Sequence, residues 1–294
     1  MIEIKKAIKD IFFNSLSPKL IADYNSLRLL GRRINWKYPK DFNDKINWLK
    51  IYSDTSLWTE YSDKLLVRKH ISDLGLSNLL VPLLGHWNNA KEIDFDSLPN
   101  QFVLKTNHGS GEVIVVRDKN AVNKEEIIKK IQDYLNTPYG LYQAEPHYLK
   151  IKPCILAEAF LEQNSPLSTS VIDYKIFCFD GKPYSTLCFF NRTKTHYDFE
   201  LHDLDWYYHP EYLVFNNHSR DGKGVIPKPK TYNQMLKAAA ILSKGFPQVR
   251  VDFYEIDGKL YFSELTFTST GGFIRYLSSD YLKQLGDQVI LPYN

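Results

Sequence analysis

The sequence predicts an α+β fold in which pairs of strands alternate with single helices. Two segments carry this prediction. VRVDFYEIDGKLYFSELTF (249–267) is typical of a β-hairpin that turns at Asp257-Gly258, and KEEIIKKIQDYLN (124–136) has the apolar spacing of an amphipathic helix. Lone helices between strand pairs favour α+β lobes over a doubly wound parallel sheet. The 294 residues allow about two domains.

The N-terminal region is predicted to be mainly helical. Residues 1–55 carry apolar side chains at helical spacing against a lysine-rich face, and a second helix is expected from about Ser62 to Ile71, ended by Gly75. SNLLVPLLGHW (77–87) indicates a short apolar strand and a turn. The amphipathic N-terminal segment is compatible with peripheral contact to a membrane surface, although packing on the body of the protein is favoured.

Strands dominate from residue 101 onward. Residues 101–118 predict a hairpin whose strands flank the loop HGSG, and further strands are expected in 152–161 and in 173–190, where an Asp-Gly pair marks a tight turn. A helix is predicted from about Asn233 to near Gly245. We assign no secondary structure to the polar and aromatic stretch that precedes this helix.

The composition is that of an ordinary globular protein and narrows the function. Hydrophobic residues make up 44% and charged residues 24%, and the net charge of +3 lacks the basic stripe of a nucleic-acid-binding protein. We expect no signal peptide and no transmembrane segment, because no apolar run is long enough. Cys154, Cys178 and Cys188 lie in apolar strand-like stretches, so we expect buried free thiols and a cytoplasmic location.

A lysine and a glycine-rich loop form the first candidate site. Lys105 ends one strand, and Gly109-Ser110-Gly111 leads into the next. Glycines let backbone N–H groups approach phosphate oxygens, and the lysine adds a positive charge. The segment lacks the complete dinucleotide fingerprint and the Walker lysine, so on its own an ordinary hairpin loop explains it equally well.

Two carboxylates form the second candidate site. Asp252 and Glu264 lie on the two strands of the C-terminal hairpin, and alternation places Arg250 and Thr266 on the same face. Carboxylate oxygens suit Mg²⁺, which also bridges to substrate phosphates. The alternative is an arginine–acid network on a solvated sheet face, and the apolar residues that alternate with these positions disfavour it.

The order of these motifs resembles that of the ATP-grasp ligases, among them D-alanine–D-alanine ligase. RVDF…ELTFTSTGG (250–272) is similar to the R-x-D…E-x-N…P-G close of that class. The segments PKDFNDKINWLK, SDKLLVRK, LPNQFVLKTNHGSG and DYKIFCFDGKP resemble the TupA-like branch, which is linked to teichuronopeptide and other cell-surface polysaccharide biosynthesis. The resemblance runs from about Pro39 to Gly286.

The resemblance implies a domain organisation and a nucleotide site. A helical and mixed N-terminal domain (1–98) would precede two α+β lobes (99–156 and 157–294) with ATP between them. Lys105 would contact the phosphates beneath a flexible loop from His108 to Gly111. The residues implied at adenine are Glu158 and the backbone through Phe160 and Leu161.

The resemblance also implies the catalytic and metal positions. Arg250 would stabilise charge on the reacting phosphoryl or tetrahedral species, while the two hairpin carboxylates would bind magnesium. Thr266 stands where the ligases usually carry Asn, and since a hydroxyl is the poorer ligand, water could fill that coordination position. Asp173 or Lys175 would face the ribose or the phosphates, and the sequence does not rank the two.

The stretch after the central strands is the candidate acceptor region. Arg192 and Trp206 are the implied substrate contacts, with Trp206 suited to stacking on a sugar face or, equally, to core packing. The acids and histidines of residues 202–209 look like a metal cluster, but a surface loop is the favoured interpretation.

The function implied by the resemblance is ATP-dependent carboxylate–amine ligation. A substrate carboxylate would attack the γ-phosphate of MgATP to give an acyl-phosphate, and an amine would then displace phosphate to form an amide. The acid is expected to be a uronic acid or similar acidic sugar or glycan, and the amine an amino acid or amino sugar. The alternatives are a sugar or glycan kinase, a glycosyltransferase, and a binding module without turnover, which the threonine at 266 keeps open.

Overall fold

Two β-sheets with flanking helices make up the fold. The computed structural model describes residues 2–163 and 165–292. The helices in these residues are α1 (Ile2–Ser15), α2 (Pro18–Leu30), α3 (Phe42–Tyr52), α4 (Ser56–Ser62), α5 (Val67–Asp73), α6 (Lys124–Leu135), α7 (Tyr232–Leu242) and α8 (Ser279–Gln288). The strands are β1 (Leu83–Trp87), β2 (Phe102–Thr106), β3 (Val113–Val116), β4 (Ile155–Ala159), β5 (Asp173–Phe179), β6 (Lys182–Phe190), β7 (Tyr197–His202), β8 (Ser219–Asp221), β9 (Val249–Ile256) and β10 (Lys259–Thr266).

The smaller sheet has four antiparallel strands in the order β1-β4-β2-β3. Helix α6 packs against it, with Ile127 and Phe102 in one apolar cluster. The helix begins where Asn123 Oδ1 accepts a hydrogen bond from the N–H of Glu125 at 3.0 Å, which is the usual N-cap arrangement. This sheet carries Lys105 at the end of β2 and the glycine loop between β2 and β3.

The larger sheet has six strands in the order β10-β9-β5-β6-β7-β8, and all neighbours are antiparallel except β7 and β8. Both hairpins expected at Asp-Gly pairs are present. Asp180-Gly181 and Asp257-Gly258 have φ angles between 44° and 78°. Two consecutive residues with positive φ form the turn that matches the twist of a two-residue hairpin, which explains the Asp-Gly sequence.

Alternation along β5 separates the two faces of the larger sheet. Phe177 packs edge-on against Phe42 of α3, with ring centroids 5.8 Å apart. Asp173 and Lys175 share this face, because side chains alternate along a strand. Helix α7 covers the opposite face, where the Tyr232 hydroxyl lies 3.0 Å from Thr186. Helix α3 therefore closes one end of the face that carries the charged residues.

The end of α1 packs on the body of the protein. Phe13 contacts the ring of Tyr142 edge-on at 5.1 Å, and the Lys9 ammonium lies 4.0 Å from the same ring. Ile11 and Phe12 remain 70% and 57% exposed. Among the residues described, no helix combines the length and the apolar character that crossing a bilayer requires.

The structure differs from the sequence prediction in four elements. The helix expected from about Ser62 to Ile71 begins later than predicted: α4 ends at Ser62, and α5 runs from Val67 to Asp73, just before Gly75. Asp63 causes the break, because its Oδ1 accepts the N–H of Leu65 at 2.8 Å and forms a turn. The stretch left unassigned contains β7 and β8, and α8 follows the C-terminal hairpin.

Two strands of the smaller sheet, β1 and β4, lie wholly or partly outside the lobe of residues 99–156 expected from the sequence. The boundary between 156 and 157 falls inside β4, and β1, from the region 1–98, joins the smaller sheet. The three cysteines are buried free thiols, which confirms that part of the prediction.

Candidate active site

A cavity of about 570 Å³ is lined by residues of both sheets. Lys105 and the loop Gly109–Gly111 line it from the smaller sheet, and Lys175, Arg250 and Glu264 line it from the larger sheet. The two candidate sites found in the sequence therefore face the same cavity.

Arg250 is the centre of the larger-sheet wall. Its Nε and Nη2 donate to the two carboxylate oxygens of Asp252, both at 2.7 Å. Nη2 also lies 3.1 Å from Thr266 Oγ1 and 3.5 Å from Glu264 Oε1. One cationic nitrogen is thus surrounded by oxygen atoms from all three residues that were predicted to bind metal.

Sheet register explains why these side chains converge. Asp252 pairs directly with Glu264 on β10 and with Lys175 on β5, while Arg250 pairs with Thr266. Directly paired residues on neighbouring strands project to the same face. The shared face predicted from alternation is confirmed.

Asp252 is fully buried beneath this wall. Burial favours the neutral carboxyl, but the charges of Arg250 and Lys175 outweigh it and lower the pKa of Asp252 to about 2. Burial likewise lowers the pKa of Arg250, but its contact with Asp252 is stronger and raises that pKa above the ordinary value. The pair is therefore ionised at neutral pH.

A second charged group lies beside Asp252 at β5 and the end of β6. Lys175 Nζ contacts Asp252 and lies 2.7 Å from Asp173 Oδ2. Arg192 Nη2 lies 2.9 Å from the same Asp173 oxygen, and 43% of the Arg192 side chain is exposed. Asp173, Lys175 and Arg192 line the cavity, whereas Asp252 does not. This part of the wall therefore presents a lysine and an accessible guanidinium to the cavity.

On the smaller sheet, Glu158 is the counterion of two cations. Its carboxylate lies 2.6 Å from Lys105 Nζ and 3.3 Å from Arg68 Nη1. The carboxylate predicted to contact adenine is therefore engaged with Lys105, the lysine predicted to contact the phosphates. Glu158 is buried and is not among the described residues that line the cavity.

Lys64 is a site residue that sequence reasoning missed. It follows α4, lines the cavity and donates to the carbonyl oxygen of Gly109 in the glycine loop. Burial, together with the charge of Lys105, lowers the pKa of Lys64. The available signal was the segment SDKLLVRK, where a lysine follows an aspartate that breaks a helix.

At the first glycine of the loop, an added side chain would displace the carboxylate of Glu112. A Cβ on Gly109 would lie 2.0 Å from Glu112 Oε2, and Gly111 has a φ of +79°. Glu112 is held by Thr106, whose hydroxyl donates at 2.7 Å. His108 is buried, and its Nε2 lies 3.1 Å from the Thr137 carbonyl oxygen, so its ring does not line the cavity.

Three predicted contacts lie away from the cavity in the described structure. Phe160 and Leu161 follow β4, and Arg117 stacks over the Phe160 ring at 4.9 Å. Trp206 is a correction: its indole stacks on His202 and donates to the Ile226 carbonyl oxygen at 3.0 Å. It contacts α7 on the sheet face opposite the charged cluster, so of the two interpretations core packing is the one realised.

The two histidines of residues 202–209 have separate partners. His202 is buried and its Nε2 lies 2.8 Å from Glu200, whereas His209 lies 2.8 Å from Glu211 and 3.3 Å from Asp203. No group of three or more His, Cys, Asp or Glu side chains within 2–163 and 165–292 is arranged to hold a metal. The surface-loop interpretation of this stretch is consistent with these contacts.

Comparison with known proteins decides the family. The family model described as TupA-like ATPgrasp matches residues 44–290. The chain belongs to the TupA-like ATP-grasp family. As an ATP-grasp protein it has the expected α+β fold and is an ATP-dependent enzyme. A comparison with curated proteins gave no match.

Solved structures of ATP-grasp ligases are similar at low identity. D-alanine–D-alanine ligase from Bacillus anthracis shares 15% identity at a TM-score of 0.48, over 85% of this chain and 69% of that protein. L-amino acid ligase from Bacillus licheniformis shares 13% identity at a TM-score of 0.48, over 78% of this chain and 49% of that protein. The ATP-grasp ligase PsnB shares 12% identity at a TM-score of 0.43, over 83% and 65%.

Proposed function

We propose that this ATP-grasp enzyme joins an amine to the carboxylate of an acidic sugar or glycan precursor, through an acyl-phosphate, in the synthesis of a cell-surface polysaccharide. The observation that carries the proposal is the opposition of Lys64 and Lys105 to the Arg250 cluster across one cavity. Phosphoryl transfer depends mainly on positioning and charge neutralisation, which these groups provide. The polysaccharide context rests on the resemblance to the TupA-like branch.

Magnesium suits the oxygen donors around Arg250. Asp252, Glu264 and Thr266 would hold it, and their oxygens already surround a cationic nitrogen. When bound, it would neutralise charge on the ATP phosphates. Glu264, whose side chain is 27% exposed, is the carboxylate that an incoming ion would meet first, because Asp252 is fully buried.

The protein's own side chains would take the remaining roles. Lys64 and Lys105 bind the phosphates under the glycine loop, and Arg250 stabilises charge on the group being transferred. The accessible Arg192 and the buried Lys175, which both line the cavity, bind the carboxylate of the acid substrate. The adenine contact is proposed for the backbone of residues 160–161 after β4, which would extend the nucleotide site beyond the described cavity lining, since the Glu158 carboxylate already serves Lys105.

Phosphate release from MgATP across a panel of uronic acids and amines tests the proposal. Release that requires both an acid and an amine, with ADP as the second product, supports ligation. With ATP and acid but no amine, hydroxylamine should trap the acyl-phosphate as a hydroxamate. A stable phosphosugar without any hydroxamate would make the enzyme a kinase, and sugar transfer from a nucleotide-sugar would make it a glycosyltransferase.

The same proposal places the enzyme in the cytoplasm, with peripheral membrane contact through α1. The three free thiols suit a reducing compartment. Ile11 and Phe12 are exposed beside Lys9, an arrangement that suits an anionic lipid surface. Sedimentation with anionic vesicles should fall when both apolar residues are replaced by Ser, and unchanged sedimentation would remove α1 from membrane binding.

A further inference from the structure

Glu145 is a buried carboxylate on the cavity wall, outside the residues assigned above. It lies in the loop between α6 and β4, it lines the cavity, and only 2% of it is exposed. Its Oε1 accepts a hydrogen bond from Thr268 Oγ1. Its Oε2 is shielded from solvent and has no hydrogen-bond partner in the described part of the chain. Because an unpaired buried carboxylate oxygen is costly, it indicates a ligand that donates a hydrogen bond there.

The protein holds this carboxylate in a fixed place. The Lys50 ammonium, on α3, donates to the carbonyl oxygens of Gln143 at 3.0 Å and Gly271 at 2.6 Å. Lys50 thereby connects the loop of Glu145 to the turn that follows β10. Burial raises the pKa of Glu145, and the charge of Lys50 and the Thr268 hydrogen bond offset this only in part. A carboxylate with a raised pKa is suited to accept and release a proton near neutral pH.

Glu145 lies beside the Arg250 cluster. Glu264, Thr266 and Thr268 follow at every second position of the chain, and each lines the cavity. Thr266 ends β10 in contact with Arg250, and Thr268, which holds Glu145, follows it by two residues. This proximity suits a second substrate that approaches a group bound at Arg250.

The charge around Glu145 selects a cation. Tyr139 and Tyr148 line this part of the cavity, and the charge of Glu145 acts on both hydroxyls. The cation whose charge acts on Glu145 is Lys50, and its ammonium is engaged with two carbonyl oxygens. A carboxylate or phosphate placed here would be repelled by Glu145, whereas an ammonium would give its unpaired oxygen a partner.

We propose that Glu145 binds the ammonium group of the amine substrate and is the base that removes its proton. This inference rests on the ligase function proposed above. One proton passes from the ammonium to the Glu145 carboxylate, and the neutral amine forms the new C–N bond to the acyl carbon. The C–O bond to phosphate then breaks, phosphate leaves with the electron pair, and the second nitrogen proton leaves with it. Glu145 returns its proton to solvent before the next turnover.

Glu145→Gln tests the role, because an amide keeps the shape and can still accept from Thr268. Its rate of hydroxamate formation should equal that of the wild type, since hydroxylamine is largely unprotonated at neutral pH and needs no base. Amide formation with amino acids or glucosamine should lose about 10²-fold or more in kcat/KM for the amine. Equal amide formation by both proteins would overturn the inference, whereas absence of any hydroxamate with the wild type would refute the ligase proposal itself.

Glu112→Gln is the matched control. Glu112 is also a cavity-lining carboxylate held by a threonine, with Thr106 Oγ1 at 2.7 Å, but it belongs to the glycine loop. This variant should change the KM for ATP and leave the KM for the amine unaltered. A rise in amine KM in both variants would indicate a general charge effect and would also overturn the inference.

A binding measurement does not depend on knowing the acid. Glucosamine should raise the melting temperature of the wild type more than glucose does, because only glucosamine carries an ammonium, and Glu145→Gln should abolish the difference. Equal shifts for the two sugars with the wild type would contradict an ammonium site. If Glu145→Gln does not fold, Glu145→Asp retains the charge with a shorter reach and should raise the amine KM at an unchanged hydroxamate rate.

Discussion

Replacement of Asp252 by Asn should cost both stability and catalysis. Asp252 is fully buried and carries the charge that balances Arg250 and Lys175, each of which is only 8% exposed. Asparagine has nearly the same shape but leaves the buried Arg250 without its close counterion, and it leaves Lys175 with Asp173 alone. Removal of one partner of a buried ion pair costs about 3–5 kcal/mol. In a protein of this size, that loss corresponds to a fall of roughly 10 °C in melting temperature.

Glu264→Gln is the comparison that separates stability from metal binding. Glu264 is 27% exposed, and its contact with Arg250 is long, at 3.5 Å. Its loss should therefore cost at most about 1 kcal/mol. Both variants should lose about 10²-fold or more in MgATP-dependent turnover. Melting of Asp252→Asn at the wild-type temperature would refute the counterion role, and turnover within a few-fold of wild type would remove Asp252 from the metal site.

The low pKa of Asp252 also predicts how the stability of the fold changes in acid. Its folded pKa of about 2 lies below the ordinary value of 3.8. The resulting stabilisation, about 2–3 kcal/mol, is therefore fully present above pH 4 and is lost as the pH falls from about 4 to about 2. Wild-type melting temperature should decline over that range, and Asp252→Asn should lack this component of the decline.

Three further variants test the nucleotide and metal assignments. Lys105→Ala should show a much smaller rise in melting temperature with MgATP than the wild type, and equal rises would reduce the glycine loop to an ordinary hairpin. Gly109→Ala should raise the KM for ATP by about threefold, because its Cβ would displace the flexible Glu112 carboxylate from Thr106. Thr266→Asn should retain or improve turnover, since an amide oxygen binds magnesium better; a raised acceptor KM with unchanged ATP binding would instead place Thr266 at the acceptor.

The C-terminal hairpin could be predicted from the sequence because its determinants are local. The Asp257-Gly258 turn requires two residues with positive φ, and strand alternation then fixes which side chains share a face. Pairing in the structure follows, with Asp252 opposite Glu264 and Arg250 opposite Thr266. The convergence of these four side chains therefore needed no knowledge of the rest of the chain.

The contacts that sequence reasoning missed depend on distant segments. Lys64 reaches the site only because its loop meets the glycine loop, and Glu145 only because Thr268 donates to it from 123 positions away. The role of Trp206 could not be chosen from the sequence, because that role too depends on contacts with other segments. An aromatic ring in a polar stretch suits both a sugar face and a core, and the choice was made by packing on His202 and by the Ile226 carbonyl oxygen.

Charge balance in the cavity bears on the form in which ATP binds. Within the described residues, five cationic side chains line it, namely Lys64, Lys105, Lys175, Arg192 and Arg250. Four carboxylates of the same residues line it as well, namely Glu112, Glu145, Asp173 and Glu264. Behind the walls, Asp252 and Glu158 neutralise Arg250 and Lys105 directly. The cavity thus offers little net positive charge to a triphosphate, because most of its cations are already paired. A divalent ion that arrives with the nucleotide supplies the missing charge and gives Glu264 a cation other than Arg250, so MgATP fits this site better than free ATP does.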